Sequence, residues 1–94
     1  MNWVKDRLDP WLEAIRLLAR AERQMAENPP NLRLALLNLK ASRKAFEVVI
    51  REKLHPAEVP DVQMRQNLLG GRISREIKMR MLNKELLQHS HPLD

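Results

Sequence analysis

Residues 20–46 read RAERQMAENPPNLRLALLNLKASRKAF, and the fold turns on Asn28-Pro29-Pro30-Asn31 within that stretch. A proline pushes the residue before it out of the helical region, and two in succession cannot continue a helical hydrogen-bond ladder. Apolar residues recur at helical spacing on both sides of the break, so the stretch predicts two helices folded back on each other. Asn31 is a natural cap for the second, because its side-chain oxygen can accept from a free amide of the first turn.

Working outward, Asp9-Pro10 starts the first helix, with the aspartate as cap and the proline at a position whose N–H would be unpaired in any case. That helix is expected over about residues 10–27, and the second over about 31–55, where Pro56 stops it. Pro56 and Pro60 mark His55 to Asp61 as a connector, and Asp61 is expected to cap a short helix over 61–69. Gly70-Gly71 supplies a cheap left-handed backbone to end that helix, and a last helix is expected over 72–88, with residues 89–94 fraying. The chain has 94 residues, no Tyr, only two Gly, and Trp3, Trp11 and Phe46 as its aromatics, a composition that favours helix over strand. The expectation is one all-α domain: a small bundle of three main helices plus one short helix, completed by oligomerisation or a partner.

The faces support that last clause. On the first helix Trp11, Ile15, Leu18 and Met25 form one stripe, with Leu8, Leu12 and Ala19 on one flank and Ala14 and Ala21 on the other. Glu22 projects from its centre and needs either water or a partner; Arg43 is a candidate, although a simple hairpin leaves it about 9 Å away along the axis. On the second helix Leu32, Leu36, Leu39, Phe46, Ile50 and Leu54 share a face. Leu34, Leu37, Ala41, Ala45 and Val48 form a rear apolar face nearly opposite, which needs the C-terminal helix or a second subunit to cover it, the expectation being a second copy or a protein partner. The last helix also changes sides, with Ile73, Ile77 and Met81 on one face and Met79, Leu82 and Leu86 on another.

The charge is unevenly placed. The net charge is +5; residues 1–27 are neutral overall, whereas residues 28–55 carry six bases against two acids. Arg33, Lys40, Lys44 and Arg51 fall within about 40° of one another, forming a basic ridge about 27 Å long between the two apolar faces. Glu47 borders the ridge, four residues before Arg51, and Glu52 lies on a different side, so one acid against four bases does not neutralise the ridge. Such a row can follow several phosphates and gain from counterion release; a solvated face or an acidic membrane lipid is the competing reading. Arg75 and Lys78 are possible further contacts on the last helix, whose bases are otherwise spread around its circumference. A short helix, a Gly-Gly turn and a basic helix superficially resemble a helix-turn-helix, with Arg75, Lys78 and Asn83 as contacts, but the last helix has no single polar face. Without aromatics beside the ridge, contact should be led by the backbone and weakly sequence-selective.

No cysteine excludes disulfides and thiolate metal sites and is compatible with a reducing cytoplasm. The longest apolar run is Leu34 to Leu37, far short of the roughly 20 residues of a membrane span, and no apolar leader is evident. Glu52 and His55 have the spacing of a helical metal pair, with Glu22 as an additional carboxylate, but His55 sits at a helix end before Pro56. His89 and His91 lie in a tail. No cofactor, metal or catalytic constellation is expected. The sequence therefore predicts a cytoplasmic, non-enzymatic accessory subunit that binds a nucleic-acid backbone within an oligomer or larger complex. The alternative is an adaptor or regulator using the same faces against an acidic protein.

Overall fold

The computed structural model describes residues 9–89, which form α1 (Pro10–Ala26), α2 (Leu32–Arg51) and α3 (Val59–His89), with no strand among them. Asp9 Oδ1 accepts from Trp11 N at 2.8 Å and Asn31 Oδ1 from Leu34 N at 3.3 Å, so both expected caps are in place. The Asn28–Pro29 peptide bond in the α1–α2 turn is cis.

The end of α2 comes earlier than Pro56 suggests. Lys53 takes a left-handed φ of 56° and donates its N–H to the Ile50 carbonyl, while Leu54 N–H returns to the Val49 carbonyl. This pair of bonds is a Schellman motif, which satisfies the last carbonyls and turns the chain before the proline can act. Beginning at Val59, α3 then starts two residues ahead of Asp61, which lies in its first turn, where an acid complements the helix dipole, instead of capping it.

The expected break at Gly70-Gly71 is absent. The spans read as a short helix over 61–69 and a last helix over 72–88 are one continuous helix, and neither glycine has a positive φ. The resemblance to a helix-turn-helix goes with the missing turn. Tertiary packing overrides the local signal: Val62, Gln66, Leu69 and Ile73 are all buried, at spacings of four, three and four that run through the glycines. Gly70 has a packing role, since a methyl group there would lie 2.8 Å from Arg43 Nη2 and 3.6 Å from Leu39 Cδ2; around Gly71 nothing lies within 4 Å.

The core sits where α2 meets the other two helices. Ala14, Leu18, Ala21 and Met25 of α1 pack on Ala35, Leu39, Phe46 and Val49 of α2. Both faces are rotated from the expected stripes toward their small residues, leaving Leu12 63% and Ile50 46% exposed. Small side chains let helix axes approach, and Ser42 exploits this by donating its Oγ–H to the Ala14 carbonyl at 2.7 Å. Gln66 of α3 donates Nε2–H to the same Ser42 oxygen at 3.2 Å, so one buried polar chain joins all three helices. These contacts, with Gln24 and Asn38 bonded at 2.7 Å near the turn, make α1 and α3 both antiparallel to α2. Arg80 Nη2 donates to the Pro30 carbonyl at 2.8 Å, placing that point of α3 at the α1–α2 turn. Beyond it every described side chain, Met81 through Leu86, is exposed.

Candidate nucleic-acid interface

With α1 and α3 occupying the front of α2, the opposite half of that helix is open. Arg33, Lys40, Lys44 and Arg51 are all exposed there. At 1.5 Å per residue their axial separations are about 10, 6 and 10 Å. The ion pairs among the described residues are His55 with Glu58 and Arg65 with Glu22, so none involves a ridge cation. Glu47, also exposed, borders the row without closing on it. Phe46 is buried and Trp11 is packed between Phe46 and His55, with ring centroids 6.3 Å and 4.6 Å away, so the described aromatics give the ridge no stacking platform.

The other basic candidates are placed elsewhere. Arg75 lines a groove on α3 with Gly71 and Arg72, and Lys78 is exposed on the same helix. Arg43 adjoins the ridge in sequence, but its guanidinium lies across Gly70 and donates to the Gln66 carbonyl at 3.4 Å. Arg80, which the charge pattern did not single out, is brought to Pro30, three residues before Arg33. Only the packing of α3 against the α1–α2 turn could have revealed it.

The rear apolar face is not covered by α3. Leu34 is 43% and Leu37 56% exposed, and Ala41 is exposed, whereas Ala45 and Val48 are half-buried, Ala45 against the core. The apolar face and the ridge are therefore neighbouring strips of one open helix surface.

Glu22 finds its partner on α3. Arg65 grips it with two bonds, Nη2 to Oε1 at 2.6 Å and Nε to Oε2 at 3.1 Å, so Arg43 is not the partner. The hydrogen bond to Glu22 raises the Arg65 guanidinium above its ordinary value, outweighing the opposing effect of burial, and the carboxylate's charge adds to it. Both groups are more than a third exposed on the side-chain scale, so the pair orients α3 against α1 more than it stabilises the fold.

The helical metal pair loses its geometry, because His55 lies past the end of α2 with a φ of 45°. Its ring stacks on Trp11, and its Nδ1 lies 3.6 Å from Glu58. Among the described residues no three His, Asp or Glu side chains gather to hold a metal ion. Leu8 and His91 lie outside those residues. None of the helices there is long and apolar enough to cross a membrane. No protein-family model, curated protein or solved structure matches this chain, so the reading of the surface rests on its geometry.

Proposed function

We propose that this chain is a non-enzymatic accessory subunit that lays α2 along a nucleic-acid phosphate backbone, with Arg33, Lys40, Lys44 and Arg51 as the contacts. The observation that carries the reading is the row itself: four exposed cations on one edge of one helix, none held by a carboxylate among the described residues. Cations already paired gain little by meeting phosphate, whereas unpaired ones release condensed counterions in full. A straight row without aromatics or a reading helix favours contacts to phosphate over contacts to bases. The adjacent Leu34, Leu37 and Ala41 give the same subunit an apolar edge for self-association or a place in a larger assembly.

The test is fluorescence anisotropy with labelled duplex DNA, single-stranded DNA and RNA at 50 mM salt. The reading expects binding that differs less than about threefold between two unrelated sequences and is lost in Lys40→Glu/Lys44→Glu. If that double variant binds as well as the parent, α2 is not the contact surface.

A further inference from the structure

The side of α3 that faces away from the bundle carries a second pattern. Met64, Leu68, Met79, Leu82 and Leu86 are each between 52% and 63% exposed. Gly71 and Arg75 complete the row, at successive spacings of four, three, four, four, three and four. The pattern repeats every eleven residues: Met64 recurs as Arg75 and Leu86, Leu68 as Met79, and Gly71 as Leu82. An eleven-residue period is 3.67 residues per turn, close enough to the α-helical 3.6 to keep the row on one face for its whole length of about 33 Å. That is the face a long straight helix presents to another helix.

The middle of the row differs from its ends. A groove of about 480 Å³ runs from Glu22, Arg65 and Leu69 at the α1–α3 seam round to Leu68, Gly71 and Arg75. Its floor at Gly71 is open because nothing lies within 4 Å of the missing side chain. Glu22, the acid in this groove, is engaged by Arg65, which leaves Arg72 and Arg75 beside the notch with no carboxylate bonded to them among the described residues. Lys78 stands on the adjoining flank, one turn on from Arg75. The row therefore reads apolar, cationic, apolar.

We propose that this outer face of α3 docks an acidic amphipathic helix of a partner protein, its apolar residues on the two ends and its carboxylates over Gly71, between Arg72 and Arg75. Charge decides between this occupant and a second copy of the chain. The row is symmetric about Arg75, so an antiparallel pair of copies in the register that matches its apolar ends would set Arg75 against Arg75 in the middle of the seam. A parallel pair would also oppose the two Arg75 side chains. An acidic partner removes that repulsion and fills the same apolar ends, where the methionines adapt to its contour. This face is separate from the α2 ridge, and the proposal stands or falls independently of phosphate binding.

The experiment uses the full chain and two labelled 22-residue helical peptides, each with leucines at the eleven-residue spacing. One carries three glutamates across the centre of its apolar face, the other three lysines. Anisotropy at 150 mM salt is expected to show micromolar binding of the glutamate peptide and at least tenfold weaker binding of the lysine peptide. Leu68→Glu, Leu82→Glu and Gly71→Leu should each weaken the glutamate peptide at least fivefold without lowering the helical melt, since Leu68 and Leu82 are exposed and nothing lies within 4 Å of a Cβ added at Gly71. Lys40→Glu/Lys44→Glu should change it less than twofold. Equal binding of both peptides, binding of neither, or loss of binding in the α2 variant overturns the proposal. So does sedimentation showing a micromolar dimer of the parent chain that Leu82→Glu dissociates.

Discussion

Replacing each glycine of α3 by alanine separates the two roles that sit side by side at 70–71. A glycine inside a helix costs about 0.8–1.0 kcal/mol relative to alanine, because it gives up more backbone freedom. At Gly71 no atom lies within 4 Å of the new methyl, so Gly71→Ala should recover nearly all of that amount. At Gly70 the methyl would sit 2.8 Å from Arg43 Nη2; the guanidinium must swing away and give up its bond to the Gln66 carbonyl. Arginine tips move easily and the 3.4 Å bond is long, so the loss roughly cancels the gain and Gly70→Ala should be neutral within about 0.5 kcal/mol. Circular dichroism melts at 222 nm read this directly. For a domain of this size 1 kcal/mol moves Tm by about 4–8 °C, so Gly71→Ala should melt about 3–8 °C higher and Gly70→Ala within about 4 °C of the parent. A lower Tm for Gly71→Ala would mean that the backbone there is not helical, and would refute a continuous α3.

Two further substitutions probe the joints of the bundle. Ser42→Ala should cost about 1–3 kcal/mol in a urea titration because it strands the buried Gln66 amide, and adding Gln66→Leu should recover most of that loss; additive effects would contradict the polar chain. Lys53→Gly should raise the urea midpoint by an amount equivalent to about 0.5–1 kcal/mol, since the left-handed φ of 56° suits glycine; a lower midpoint would count against the Schellman end of α2.

How much of this was legible in the sequence depends on how local the signal was. Asp9-Pro10, the double proline and Asn31 act within a turn of themselves, and their caps and breaks are where the residues put them. The ridge on α2 was legible for the same reason: spacings of seven, four and seven fix an angular position on any helix. Gly70-Gly71 is a misleading signal because its local preference is overridden by the buried row through Val62, Gln66, Leu69 and Ile73, in which Gln66 looks polar and hides the period. The core faces of α1 and α2 were set by the large residues when read from sequence. The structure turns them toward Ala14, Ala21, Ala35 and Ser42, because small side chains bring the axes together and leave Leu12 and Ile50 outside. The Glu22–Arg65 pair joins residues 43 apart and depends on the rotation of α3, which no local pattern specifies.

The salt dependence of duplex binding tests the central claim most directly. Four cations meeting four phosphates predict that log Kobs falls with log salt at a slope of about −3.6, a loss of about 150-fold between 50 and 200 mM. Lys40→Ala/Lys44→Ala removes two of the four contacts, so its slope should be about −1.8 and its loss about 12-fold. A parent slope near zero, or an unchanged slope in the double variant, would contradict the assignment of α2 as the backbone-binding surface.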